Sequence, residues 1–408
     1  MVPNLKWTFM VYLAGDNNLE EYGTIDLGEM KRVGSTADLS LVAQFDCMSD
    51  QTTRRYYLTA NQSLDADCVA TLPETNTGDP QALIDFVTWA CAAYPADRYA
   101  LILWNHGAGW KDDDIYRHAS ARGLVGKIPR GQIRGLASGR VSRALFSTTV
   151  EQMAVEAVER AVLFDDSAAD FLDNLEMKRA LQQAAPAFNG QLDLLGFDAC
   201  LMSMLEVHYQ LRDTCTVVVG SQEVEPGDGW PYDDILTCLA ADPAMTPEAL
   251  GKAIVQAYVS WYQSAYPNLA VTQSAISLSR LEPVAAAISA LADRLQESVN
   301  TTTVLGLLFK ALRSAQSFTD RDYVDLAHFC GLLAEYDQEG VIAVAARAVA
   351  ELLSGESSPV IAEAHHGTNV QHATGLSIYL PTRIFSPLYC GLDFALKHRW
   401  DEFLVAFV

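Results

Sequence analysis

Short apolar runs that end abruptly at polar side chains dominate the first half of this 408-residue chain. The clearest are ALILWNHGAGW at Ala100–Trp110 and DLLGFDACLM at Asp193–Met202. An apolar run bounded by a polar break is typical of a strand buried in a parallel sheet. Because such runs alternate with helical patterning, a mostly parallel, doubly wound α/β sheet is predicted. The strands predicted from such runs are Trp7–Leu13, Leu39–Phe45, Tyr99–Trp104, Leu192–Phe197 and Thr216–Gly220.

The second half is rich in helical patterning, and no repeat or Pro/Ser-rich linker divides the chain. We therefore predict a single domain over 1–408 with a helix-rich part at 240–408. A flexible basic loop is predicted at 111–164, because 115–150 carries seven basic residues, no acidic ones and repeated glycines. Helices are predicted near 19–33, 80–93, 171–185, 201–212, 247–266, 281–297, 302–315, 321–336, 338–354 and 391–407.

The charge of the chain restricts its partners. With 28 basic and 51 acidic residues, the net charge is −23, which argues against nucleic acid or an anionic membrane and favours cationic substrates. The N-terminal residues lack the apolar stretch of a secretory signal, so a cytoplasmic location is expected. The eight cysteines are scattered without a CxxC pair, so most are expected to be buried hydrophobic side chains.

His106 and Cys200 each stand where a predicted strand ends. Since parallel strands share one carboxyl edge, where ligands bind, these side chains can meet as a thiol nucleophile and its base. The alternative is that each is an ordinary core residue. A helix predicted from Leu201 would place Cys200 at a helix N-terminus, which stabilises a thiolate. The amide of Gly107 could help to bind an oxyanion.

Asp198 lies two residues before Cys200, on the same side of the predicted strand. Its negative charge would disfavour the thiolate. The better use of Asp198 is therefore to bind a cationic side chain of the substrate. The alternative is an N-cap for the helix that follows.

These motifs resemble those of the clostripain-like cysteine peptidases, which are relatives of caspases, gingipains and legumain. WNHGAGW around His106 and FDACLMSMLEV around Cys200 look like the His and Cys motifs of that family. The resemblance covers nearly the whole chain. The other matching segments are VYLAGDNNLE near the start, SQEVEPGDGWPY at 221–232 and GLSIYLP at 375–381.

The resemblance implies a caspase-like three-layer α/β/α sandwich. It also implies a cysteine endopeptidase that cleaves after Arg or Lys, the P1 residue that precedes the scissile bond. In that interpretation Cys200 is the nucleophile and His106 the general base and acid. The amides of Gly107 and Cys200 form the oxyanion hole, and Asp198 binds the basic P1 side chain.

The loop Ser221–Trp230 should form a wall of the P1 pocket, which makes Asp228 a second candidate for the substrate cation. Asn105 is a further substrate-binding candidate. Glu223 and Glu225 are expected to be solvated or structural.

Members of this family are often activated by cutting a loop between the His and Cys motifs. We therefore expect self-cleavage within the basic segment 115–150. The alternative is that this segment contacts a partner or stays mobile. The candidate cleavage sites are Lys127, Arg130, Arg134, Arg140 and Arg143.

No cofactor is expected to be required, and no metal ligands are assigned. Calcium, which some family members need, could bind Asp112–Asp114 or Asp165–Asp166, although acidic runs are usually solvated turns. The expected partner is a peptide or protein substrate with a basic P1 residue. Two other functions stay open: an effector peptidase that is silent until a regulatory protein binds, and a non-catalytic caspase-like binding protein.

Overall fold

The computed structural model describes residues 5–110, 162–165, 168, 170–337 and 340–408. Strands in this part of the chain follow the apolar runs of the sequence. Their bounds are β1 (Leu5–Gly15), β2 (Leu39–Cys47), β3 (Thr52–Tyr57), β4 (Cys68–Pro73), β5 (Ala96–Trp104), β6 (Val162–Asp165), β7 (Asp170–Leu172), β8 (Leu192–Asp198), β9 (Cys215–Gly220), β10 (Val271–Ser277), β11 (Tyr323–Asp325), β12 (Val360–His366) and β13 (Ser377–Tyr379).

The central sheet has nine strands in the order β12-β10-β9-β8-β5-β1-β2-β3-β4. Its middle strands, β9, β8, β5, β1 and β2, are parallel. Antiparallel pairs complete both ends of the sheet. The predicted mostly parallel sheet is thus confirmed, and it has one edge at which the carboxyl ends of β1, β2, β5 and β8 meet.

Helices cover both faces of this sheet. Their bounds are α1 (Glu20–Val33), α2 (Leu64–Asp67), α3 (Pro80–Ala93), α4 (Asn174–Ala184), α5 (Leu205–Leu211), α6 (Tyr232–Ala241), α7 (Pro247–Ala265), α8 (Leu281–Ser298), α9 (Thr302–Ser314), α10 (Leu326–Tyr336), α11 (Val341–Ser354), α12 (Asp393–Lys397) and α13 (Trp400–Phe407). Among the described residues, we find no helix long and apolar enough to cross a membrane.

Two apolar clusters, one on each face, hold the layers together. Along β1 the side chains alternate between them: Met10 and Tyr12 pack into one cluster, Phe9 and Val11 into the other. Helices α1, α6 and α7 cover the second cluster, whereas α3, α4, α5 and the helices after α7 cover the first. The three-layer α/β/α sandwich is therefore confirmed.

The helix predicted from residue 201 begins only at Leu205, so the prediction that Cys200 stands at a helix N-terminus is wrong. Leu201 has a φ of +64°, a left-handed conformation that cannot continue a right-handed helix. The chain then runs extended, and the Ser203 amide donates to the Ser221 carbonyl at 2.9 Å. Asp198, seven residues before the helix, is not its N-cap.

Other differences occur where short elements interrupt a helical pattern. The helix predicted over 321–336 starts after strand β11, and the helix predicted over 171–185 starts after β7. The closing helix predicted over 391–407 is divided into α12 and α13, because His398 between them is extended. Strand β6 occupies the last residues of the loop predicted for 111–164.

Candidate active site

His106 and Cys200 each lie two residues beyond the end of a strand, His106 after β5 and Cys200 after β8. The two strands are parallel neighbours, and their last residues, Trp104 and Asp198, pair in register. Both side chains line one cavity of about 160 Å³. The other lining residues are Leu19, Trp104, Asn105, Asp198, Ala199, Glu225, Pro226, Gly227 and Gly229.

The Cys200 thiol is held by the backbone of the loop after β9. Its Sγ accepts a hydrogen bond from the Glu225 amide at 3.3 Å and donates to the Glu225 carbonyl at 3.7 Å. Burial raises the pKa of the Cys200 thiol, although the amides of Glu225 and Gly107 act in the opposite direction. The resting thiol is therefore neutral and must lose its proton before it can attack a carbonyl.

The His106 ring is oriented by the loop after β1. Its Nε2 lies 2.9 Å from Asn18 Oδ1. In the described part of the chain, no hydrogen bond joins Cys200 Sγ to this ring. Such bonds in ligand-free sites commonly form only once the substrate is present.

Asn105 supports the backbone at the end of β5. Its Nδ2 donates to the Ala14 carbonyl at 2.9 Å, and its Oδ1 accepts from the His106 amide. The side chain lines the cavity but is engaged within the protein, and its predicted role in binding substrate stays a prediction.

Gly107 packs directly on the backbone of Cys200. A Cβ at this position would lie 2.4 Å from the Cys200 carbonyl oxygen and 2.9 Å from its nitrogen. Only glycine permits this approach. The two amides predicted to bind the oxyanion therefore belong to segments in contact with each other.

Asp198 and Glu225 form a buried carboxyl pair in the cavity. Asp198 Oδ2 accepts hydrogen bonds from the Trp230 amide at 3.2 Å and the Tyr232 hydroxyl at 2.8 Å, and the side chains of Asp198 and Glu225 are hydrogen-bonded to each other. Burial raises the pKa of Asp198 to about 6. Burial and the charge of Asp198 raise the pKa of Glu225 well above its usual value. At neutral pH the pair holds one proton and one negative charge.

Asp26 is a third buried acid, close enough to Asp198 for the two charges to interact. Its Oδ2 accepts a hydrogen bond from Trp104 Nε1 at 2.6 Å, and burial together with Asp198 raises its pKa to about 9. Gly229, with a φ of +58°, packs against both acids, because a Cβ there would lie 3.1 Å from Asp198 Oδ2 and 3.4 Å from Asp26 Oδ2. This side of the cavity is thus acidic, but only Asp198 is ionised among the three carboxyl groups at neutral pH.

Asp228 lies on the same loop without lining the cavity. Its carboxylate is hydrogen-bonded to the exposed Tyr266. Its predicted role as a second cation ligand stays a prediction.

Sequence reasoning left open whether Glu225 is solvated or structural, and it missed Asp26. The Glu225 carboxyl group is buried and accepts hydrogen bonds from Trp230 Nε1 at 3.1 Å and Gln273 Nε2 at 3.2 Å, so it is not solvated. Asp26 had a detectable signal, since it falls on the buried face of α1 beside Leu27 and Met30, where a polar residue is unusual.

Two sets of predicted residues lie outside the described part of the chain. The first set contains the acidic residues proposed for calcium other than Asp165, namely Asp112, Asp113, Asp114 and Asp166. The second set contains the cleavage candidates Lys127, Arg130, Arg134, Arg140 and Arg143.

Three comparisons place this chain among known proteins. The sequence model of the clostripain family matches residues 11–125 and 150–405. Clostripain from Hathewaya histolytica is 28% identical over 270 residues, which cover 58% of this chain and 43% of that protein. The match thus spans less than half the length of that relative.

Solved structures show the same fold over almost the whole chain. An inactive zymogen C11 protease from Parabacteroides distasonis superposes with a TM-score of 0.66 at 19% identity, covering 97% of this chain and 98% of that one. A secreted C11 cysteine protease from Bacteroides thetaiotaomicron, in complex with an irreversible peptide inhibitor, gives a TM-score of 0.62 at 20% identity, with 98% and 99% covered. Because the family model matches most of its residues, the chain belongs to the clostripain family of cysteine peptidases.

Proposed function

We propose that this protein is a cysteine endopeptidase that cleaves peptide bonds after Arg or Lys. The observation that carries the proposal is the composition of one cavity. Its rim holds a histidine and a cysteine, and its interior holds a carboxyl pair with one negative charge. Family membership and the peptide inhibitor bound to a protein of the same fold support a peptide substrate.

In the proposed reaction, His106 takes the proton of the Cys200 thiol as the sulfur attacks the carbonyl carbon of the P1 residue. The C–S bond forms, and the negative charge on the carbonyl oxygen is stabilised by the amides of Gly107 and Cys200. His106 then gives its proton to the departing amine as the C–N bond breaks. Water, deprotonated by the same ring, releases the acyl group and restores the thiol.

The buried carboxyl pair supports the proposed preference for a cationic P1 side chain. Asp198 is ionised and lies within the cavity, two residues from the nucleophile. Its carboxylate can pair with a guanidinium or an ammonium group. A neutral P1 side chain would leave this buried charge without a counter-ion, which is costly.

The test of this proposal is a series of peptide amides that differ only in P1. We expect turnover of Arg and Lys substrates. For citrulline, the neutral isostere of arginine, kcat/KM should be lower by a factor of about 100 or more. The measurement is the release of a fluorogenic amine by the purified chain. Equal turnover of the Arg and citrulline substrates would contradict the assigned specificity. No turnover of any substrate would contradict a peptidase that is active without a partner and would favour one of the two other functions left open by the sequence.

Protonation of the carboxyl pair should weaken cation binding in acid. Because the pKa of Asp198 is raised to about 6, its charge is present above that pH and lost as the pH falls through it. We expect the affinity of the Cys200→Ala variant for benzamidine, a cation throughout this range, to fall about tenfold per pH unit below about pH 6. Calorimetry measures this without any contribution from catalysis. A flat profile down to about pH 5 would contradict the role of Asp198.

Self-cleavage is proposed as the activating step. The basic segment 115–150 holds five candidate P1 residues between the His and Cys motifs, and the proposed specificity matches them. Cleavage there would divide the protein into two chains that remain parts of one folded unit.

A further inference from the structure

The loop after β1 places a polar side chain against the general base of the proposed reaction. Asn18 Oδ1 lies 2.9 Å from His106 Nε2, which is a hydrogen-bond distance. The two residues are 88 positions apart in the chain, but the strands before them are parallel neighbours whose last paired residues are Leu13 and Trp104. The contact therefore forms between two loops that leave the same edge of the sheet.

One backbone carbonyl anchors both sides of this contact. The Ala14 oxygen accepts a hydrogen bond from Asn17 Nδ2 at 2.9 Å and a second one from Asn105 Nδ2 at 2.9 Å. Asn17 directly precedes Asn18, and Asn105 directly precedes His106 and also accepts from the His106 amide. Since both neighbours share one acceptor, the distance between Asn18 and His106 is set before any substrate binds.

The backbone around Asn18 is held by its own turn. The Asn17 amide donates to the Gly15 carbonyl at 2.8 Å, and the Leu19 amide donates to Asn17 Oδ1 at 2.8 Å. This is an Asx turn, in which a side-chain oxygen takes the place of a backbone acceptor. Helix α1 starts immediately afterwards, at Glu20. Asn18 thus faces the histidine from a turn that is closed by hydrogen bonds on either side of it.

The chemistry of the two groups fixes the tautomer of the histidine. A side-chain amide oxygen accepts hydrogen bonds and cannot donate them, so the ring nitrogen that faces it carries the proton. A neutral imidazole has one protonated nitrogen and one nitrogen with a lone pair. With the proton on Nε2, the lone pair is on Nδ1. We propose that Asn18 is a positioning residue that keeps neutral His106 in the Nε2–H tautomer, so that Nδ1 is the atom that takes the Cys200 proton.

This assignment rests on the proposed function and names the atoms of its proton transfers. The S–H bond of Cys200 breaks and an Nδ1–H bond forms, while the Nε2–H bond stays intact and continues to donate to Asn18. The proton on Nδ1 then passes to the departing amine. No proton is transferred to Asn18, whose amide orients the ring and accepts from the imidazolium.

A neutral acceptor suits this site because the cavity is already acidic. Asp198 is ionised at neutral pH and shares a proton with Glu225. A carboxylate in place of the Asn18 amide would add a further negative charge, favour the protonated imidazole and so reduce the amount of free base. The amide orients the ring without this cost.

The tautomer is tested by nitrogen NMR of the full-length Cys200→Ala chain with isotope-labelled histidine, at a pH above the range in which histidine titrates. The His106 signals are those that a further His106→Gln substitution removes. We expect the proton on Nε2, and a mixture of both tautomers when Asn18→Leu removes the acceptor at nearly constant size. A neutral His106 ring with its proton on Nδ1 would overturn the proposal, whether or not the chain cleaves peptides.

Hydrolysis of the Arg amide separates positioning from a structural role. Asn18→Leu should lower kcat at least about tenfold and leave KM within about twofold, because the substrate still binds but the base loses its tautomer. Asn18→Asp keeps an acceptor oxygen and should restore most of kcat at high pH. The acidic limb of its kcat profile should lie about one pH unit above that of the parent, since a carboxylate favours the imidazolium.

The other titratable groups near the ring are the same in all these variants, and at saturating substrate the P1 cation keeps Asp198 ionised. The groups in the cavity and on the loop are Cys200, Asp198, Glu225, Asp16 and Glu20. The shift of the acidic limb therefore reports on His106.

Asn61→Leu is the matched control, because Asn61 is exposed in the turn between β3 and α2, and its kcat should equal that of the parent. Thermal unfolding should give the same Tm for Asn18→Leu, Asn18→Asp and the parent. Unchanged kcat in Asn18→Leu, or equal losses of kcat in both Asn18 variants, would overturn the proposal. If the parent cleaves no peptide, the proposed function fails, while the NMR result still decides the assignment of Asn18.

Discussion

Replacement of Cys200 by alanine is expected to lower kcat/KM for an Arg-ending amide at least about 1,000-fold, since the covalent route is then lost. His106→Ala should have a comparable effect, because the neutral thiol that burial produces then has no base. The double variant should be little worse than either single one, since the two residues act as a unit. The measurement is steady-state hydrolysis of the fluorogenic Arg amide.

The masses of the same purified proteins test the proposed self-cleavage. Intact mass analysis of the parent should show two fragments that result from cleavage after one of the basic candidates in 115–150. Cys200→Ala should show one uncut chain. Cys238→Ala is the matched control, because Cys238 is an exposed free cysteine outside the cavity and its loss should change neither turnover nor mass pattern. Near-normal turnover by Cys200→Ala or His106→Ala would refute the dyad.

The parts of the fold that were predictable are those in which one local pattern decides the structure. The runs at Trp7–Leu13 and Leu39–Phe45 are long and apolar, and they form buried strands β1 and β2. Since β5 and β8 also end in abrupt polar breaks, the shared position of His106 and Cys200 followed from the topology of parallel strands alone.

The loop after Cys200 was not predictable, because tertiary contacts override its helical propensity. Leu201 and Met202 are good helix formers, yet Leu201 adopts a left-handed conformation, and the Leu201 amide donates to the Glu223 carbonyl at 3.2 Å. The pairing of Asp198 with Glu225 joins two segments 27 residues apart. No periodicity in the sequence encodes such a contact.

The Asp198→Asn variant is expected to lower kcat/KM for the Arg amide about 100-fold or more, while turnover of the citrulline amide changes little. Asparagine can still accept hydrogen bonds from the Trp230 amide and the Tyr232 hydroxyl that hold Asp198, so the cavity should keep its shape. The loss is then that of one buried negative charge. The ratio of the two kcat/KM values measures it.

A merely structural role for Asp198 would lower both rates together, and a preserved preference for Arg over citrulline would exclude Asp198 as the P1 ligand. Asp213→Asn is the matched control, since Asp213 is exposed and does not line the cavity. Glu225→Gln should lower the Arg rate less than Asp198→Asn, because Glu225 holds the shared proton at neutral pH and glutamine retains a donor toward Asp198. The order of these effects follows from which acid carries the charge: the ionised residue of the pair sets the selectivity, and the protonated one keeps it in place.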